Sequence, residues 1–173
     1  DLDQLLLDHL SEIPWRGVYE LAHGLVGYGL YAAENINVPR RRELLEKVID
    51  RLASTALPSS HGGVAWWTAP QNLFDEQRQA APQGHFNIGL AHGVPGVIAI
   101  LGEACRLHVG GQKARTLLEK ATTWLRAHKR PQGSGSHFGT IIPLGRQPSP
   151  QASRVAWCFG DLGVSAALYW AAR

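Results

Sequence analysis

Methionine is missing from all 173 residues, position 1 included, and cysteine occurs only twice, at Cys105 and Cys158. Two cysteines so far apart do not make a disulfide framework, so the expected setting is reducing and cytoplasmic. Charge of one sign is also scarce. The formal net charge is +3, and the lysines and arginines gather on two helical stretches rather than in a tail, which argues against a nucleic-acid partner. No apolar run approaches the roughly 20 residues of a membrane-spanning helix, and no signal peptide is recognisable. Strand-like alternation never survives beyond a few residues, which leaves helices as the building material. The chain is long enough to bury a core as one domain.

What is present is small residues and helical stripes. The stretch Asn87-Ile88-Gly89-Leu90-Ala91-His92-Gly93-Val94-Pro95-Gly96 runs straight into the apolar segment Val97–Leu101. Pro95, with its fixed φ and missing N–H, suits a first helical turn, and Gly93 and Gly96 permit close approach of backbone or ligand. His92 is therefore expected at a helix mouth, where the positive end of the dipole disfavours protonation. Leu2, Leu5, Leu6 and Leu10 lie at helical spacing, as do Leu44, Leu45, Val48, Ile49, Leu52, Ala53 and Ala56 after Pro39. A third stripe comprises Ala114, Leu117, Leu118, Ala121, Trp124 and Leu125, ended by Lys129-Arg130-Pro131-Gln132-Gly133. The basic triplet Arg40–Arg42 reads as a solvated helix face. Residues 58–87 and 131–153 read as long connections, with Trp66-Trp67 in the first plugging the core.

A pattern repeats. His23-Gly24-Leu25-Val26-Gly27, His92-Gly93-Val94-Pro95-Gly96 and Phe159-Gly160-Asp161-Leu162-Gly163 share x-G-x-x-G ahead of an apolar helix. Their first glycines are 69 (93 − 24) and 67 (160 − 93) residues apart. So regular a period implies stacked helical hairpins, each with an apolar inner helix and an amphipathic outer one, and with the glycine turns gathered at one end. The fold class is all-α: one segment spanning 1–173, with repeats near 14–57, 84–130 and 154–173. The chain stops inside the apolar pattern Val164–Ala172, and with methionine absent the 173 residues are expected to be a piece of a longer chain.

Asn87–Gly96 and Trp157–Gly163 together resemble signatures of the lanthionine synthetase C family, the zinc-dependent cyclases of lanthipeptide biosynthesis, and the resemblance covers essentially the whole chain. It implies an α/α toroid of inner helices ringed by outer ones, with a zinc site at the glycine-turn end. It implies Michael addition of a peptide cysteine thiol to dehydroalanine or dehydrobutyrine. By position, Cys158 matches the family's first zinc ligand, His92 its acid/base histidine and Arg154 an arginine near the site. Glu20 falls where the family carries aspartate, keeping the charge but moving it by one methylene. Phe159 falls where a tyrosine is usual and deletes a hydroxyl.

The Cys-His pair that completes the family's zinc is absent, since Cys105 is followed by Arg106. That pair is expected beyond residue 173, and the segment alone is expected to be inactive. The implied partner is a dehydrated precursor peptide, with a dehydratase and a transporter as further members of a biosynthetic complex. Two other readings stand beside the cyclase. A non-catalytic peptide-binding or scaffold protein on the same toroid would suit the changes at Glu20 and Phe159. A carbohydrate-active toroid would need paired carboxylates, for which only Glu20 and Asp161 are near the turns.

Overall fold

Helices begin where glycine and proline punctuate the chain. The computed structural model describes residues 1–173 and places α1 at Leu2–Ser11, α2 at Leu25–Glu34 and α3 at Pro39–Thr55. A short α4 (Asp75–Ala80) precedes α5 (Val94–Arg106), α6 (Gly111–Ala127) and α7 (Gly160–Ala171). Pro39 and Pro95 sit in the first turns of α3 and α5, where the missing N–H leaves no helical bond unmade. The apolar helix expected from Tyr28 starts three residues earlier, because the glycine turn feeds directly into it.

The long helices form two layers. In the inner row α2 packs on α5 and α5 on α7; outside, α3 lies on α2 and α6 on α5, with α1 against α3. The fold is all-α, arranged as part of an α/α toroid. Inner helices come close because they are built of small residues: Gly29 lies against Ile100 and Val48, and Gly102 against the backbone of Ala171. The stripe Leu44, Leu45, Val48, Ile49 and Leu52 on α3 is fully buried, each side chain contributing about 1.5–3 kcal/mol. Central α5 is buried from Val94 to Ala104 save Ala99.

The basic triplet is solvated at Arg40 and Arg42, as expected, while Arg41 is tucked into the fold. Arg40 pairs with Asp1, and Arg41 pairs with Asp3 at 2.8 Å and lies over the Tyr31 ring. Arg42 donates to the carbonyls of Leu107 and His108, which the end of α5 leaves unpaired.

The connection 58–87 holds more structure than its composition shows. A hairpin pairs Leu57–Pro58 (β1) with Val64–Ala65 (β2). Then Trp67–Thr68 (β3), His85–Asn87 (β4) and Ile141–Pro143 (β5) form a small antiparallel sheet, with His85 opposite Thr68 on one side and Pro143 on the other. Trp66 fills the core as expected, its indole N–H donating to the Leu52 carbonyl at 2.9 Å. Trp67 does not: it opens β3, 37% exposed, with its indole N–H donating to the Gln83 carbonyl at 3.1 Å.

The three glycine turns share the same close approaches, although Gly24 and Gly93 are extended and Gly160 has a positive φ of 80°. A Cβ on Gly24, Gly93 or Gly160 would overlap the carbonyl oxygen of the residue six positions earlier, Val18, Asn87 or Arg154. The second glycines, Gly27, Gly96 and Gly163, stand in the same relation to Leu21, Leu90 and Trp157. Backbone bonds tie the turns side by side, from Leu21 N–H to the Ala91 carbonyl (2.9 Å) and from Ala91 N–H to the Cys158 carbonyl (3.5 Å). Gly93→Ala is therefore expected to cost about 1–3 kcal/mol in urea unfolding, since the turn must open to admit the methyl. Gly139→Ala, in open space, should stay within about 0.5 kcal/mol of the parent. Equal tolerance at both positions would refute this account of the turns.

Candidate functional site

Equivalent turns put equivalent positions side by side, and the site grows from that. His23 and His92 both immediately precede a first glycine, in neighbouring repeats. Glu20 lies three residues before His23, close enough for one carboxylate oxygen to accept the His23 backbone N–H. Its other oxygen reaches across the repeat boundary to His92 Nδ1 at 2.8 Å. His23 Nδ1 lies 3.3 Å from the first oxygen but is 84% exposed, so that ion pair is heavily screened. The Glu20 carboxylate is only 13% exposed and His92 45%, which leaves the imidazole accessible while one of its nitrogens is held. With Nδ1 engaged by a carboxylate, Nε2 is the nitrogen free to exchange a proton.

The sequence brought His92 to a helix mouth; the structure adds the carboxylate that orients it. Phe159 from the third turn stacks obliquely on His92, with centroids 5.7 Å apart and planes at 34°. The Arg154 guanidinium lies 5.5 Å from the Phe159 ring centre, so this exposed arginine approaches the site over Phe159. Glu20, His92 and Phe159 line a cavity of about 410 Å³; Arg154 and Cys158 do not. Cys158 is a half-buried free thiol whose carbonyl joins the ladder between the turns.

The rest of the cavity wall went unread in the sequence. Tyr19, Thr68 and His85 supply polar groups, and Trp67 and Phe74 stand at its rim, Phe74 82% exposed. Tyr19 is buried, which pushes its phenol up to about 12, and its hydroxyl lies 3.5 Å from Thr68 Oγ1. His85 is 3% exposed, and burial alone pulls its imidazole below the usual histidine value. The one signal available was the alternation His85-Phe86-Asn87 ahead of the glycine turn, in which His85 and Asn87 share a face.

No group of three His, Cys, Asp or Glu side chains converges anywhere in residues 1–173. A structural or catalytic zinc site takes three or four protein donors, so the residues present do not by themselves fit one, although Cys158 is a suitable single donor. Two measurements follow. After dialysis the 173-residue protein should retain well under one zinc per chain, and stoichiometric tight zinc would show that a donor set has been overlooked. Second, folded His85 holds its proton less tightly than the unfolded chain does. Stability is therefore lost as pH falls below about 6.5, the unfolded value, and is unaffected above it. His85→Phe should flatten the stability curve between roughly pH 7 and pH 5; an unchanged slope would mean that folding leaves the proton affinity of His85 as it is in the unfolded chain.

Comparison with known proteins gives two findings. The family model described as "Lanthionine synthetase C-like protein" matches residues 1–173. The solved structure "Nisin cyclase" superposes with a TM-score of 0.76 at 20% sequence identity, covering 98% of this chain and 44% of that one. The chain thus spans under half the length of that structure, and at this identity the likeness is one of fold. No curated protein sequence matches.

Proposed function

We propose that this chain, which belongs to the lanthionine synthetase C-like family, serves a lanthipeptide cyclase that closes thioether rings by adding a peptide cysteine thiol to dehydroalanine or dehydrobutyrine. One observation carries the reading: an accessible histidine whose Nδ1 is held at 2.8 Å by a nearly buried carboxylate, in the wall of a cavity at the glycine-turn end. The neighbouring fold belongs to a protein named for cyclisation, nisin cyclase.

His92 then has two tasks. Its free Nε2 takes the proton of the attacking thiol, and the sulfur forms its bond to Cβ of the dehydro residue. The alkene electron pair moves onto the conjugated carbonyl, giving an enolate, and the proton returns from His92 to Cα. Atoms balance, with thiol and alkene becoming thioether. Glu20 fixes the tautomer and steadies the imidazolium between the two transfers, the role a carboxylate plays beside any catalytic histidine. Arg154 would add positive charge near the enolate from beyond Phe159, a role supported by its guanidinium lying 5.5 Å from that ring. Cys158 is the proposed donor to zinc. Since this chain shows no complete donor set, the steps above run through protein groups alone.

The second reading is peptide binding without catalysis on the same surface. It draws on the exposed aromatic rim of Trp67 and Phe74 and on Phe159, which offers His92 a ring face and no hydroxyl.

In the full-length protein, His92→Asn should leave fold and metal content intact and slow ring closure roughly 10²–10⁴-fold. Cys158→Ala should lower metal content and ring closure together. Mass spectrometry of a dehydrated precursor peptide, read beside metal analysis, separates the two variants. Normal ring closure by His92→Asn would remove His92 from the chemistry, and loss of metal by that variant would make His92 a ligand; an unaltered protein that binds the dehydrated peptide and closes no ring would favour the binding reading.

A further inference from the structure

His85 has no place in the steps above, yet it is the most deeply buried ionisable group in the cavity wall, 3% exposed on the central strand of the small sheet. Its Nδ1 is sealed from solvent and has no hydrogen-bond partner. Nε2 also lacks a partner in the protein but is not sealed, so the ring meets the cavity along its Nε2 edge. A buried N–H without an acceptor is rarer in proteins than a bare acceptor, so the proton belongs on Nε2, where it faces the cavity. Burial keeps this ring neutral near pH 7. A neutral imidazole donates a hydrogen bond without surrendering its proton, which suits it to an oxygen that gains charge during a reaction.

We propose that His85 is a substrate-binding residue whose Nε2–H donates to the carbonyl oxygen conjugated with the alkene of the dehydro residue, holding that carbonyl in the cavity it shares with Glu20 and His92. This rests on the cyclase reading and extends it to how the acceptor peptide is held. While the sulfur–Cβ bond forms, the electron pair arriving on that oxygen meets a donor already in position; when Cα is protonated the carbonyl returns, and His85 has exchanged no proton. Tyr19 and Thr68 line the cavity beside it, and Trp67 and Phe74 offer apolar surface to flanking peptide residues at the rim.

The probe is a short fluorescein-labelled peptide containing one dehydroalanine and no cysteine, so that it binds without ring closure. In the full-length protein, His85→Phe should weaken its binding about tenfold by fluorescence anisotropy, the loss of one well-placed hydrogen bond. His85→Gln, which restores an N–H, should recover part of that loss. On the unaltered protein, imidazole ¹⁵N spectra should show His85 neutral with its proton on Nε2, and that resonance should move when the peptide is added. Equal affinity for parent and His85→Phe, a proton on Nδ1, or a resonance indifferent to bound peptide would each overturn the proposal. Should His85→Phe fail to fold, the spectra of the unaltered protein decide. If the unaltered protein binds no dehydrated peptide, the cyclase reading falls as well; binding that ignores His85 sinks only this inference.

Discussion

In each of the three turns a glycine Cα lies so close to a carbonyl six residues back that no side chain fits between them, and the same closure recurs three residues later. Everything near the site depends on this double closure. It folds the segment before each inner helix into a tight loop and brings the loop edges within bonding distance of one another. It also sets residues that precede the glycines at matching heights along the ladder from Leu21 through Ala91 to Cys158. Glu20 and His92, 72 residues apart in sequence, meet because two loops of the same shape lie side by side.

The helical layers serve the turns. Glycine and alanine on α2, α5 and α7 let the inner row pack closely, and the apolar stripe of α3 backs it from outside. No helix is long and apolar enough to cross a membrane. The small sheet from residues 67–68, 85–87 and 141–143 then walls the cavity on the side that the helices leave uncovered, carrying Trp67 and His85 into it.

Much of the helical fold was legible, because stripes of period 3.6 and glycine-proline punctuation are local signals. The all-α class, the stacked hairpins and the helix-mouth position of His92 follow from them, whereas the toroid came from the family resemblance. The cavity wall was not legible, for a physical reason. Strands of two or three residues carry too few alternations to register, and the pairing of His85 with both Thr68 and Pro143 joins segments far apart in the chain. Arg40 and Arg42 are solvated as their charge suggests, but Arg41 is not. A charge run on a helix is normally solvated, but the Asp3 carboxylate and the Tyr31 ring happen to lie opposite this one member. Trp66 and Trp67, identical in sequence terms, part ways: the link before β3 turns Trp66 into the core under the Leu52 carbonyl, and Trp67 begins β3 in the cavity wall.

The bond between Glu20 and His92 crosses the seam between two hairpins, with one end on the turn before α2 and the other on the turn before α5. Repeat proteins flex at such seams, where each unit touches only its neighbours. A slide of one hairpin past the next by a single ångström would stretch a 2.8 Å contact beyond hydrogen-bonding range and release the imidazole from its tautomer. The orientation of the His92 ring therefore depends on the alignment of two hairpins rather than on either one alone.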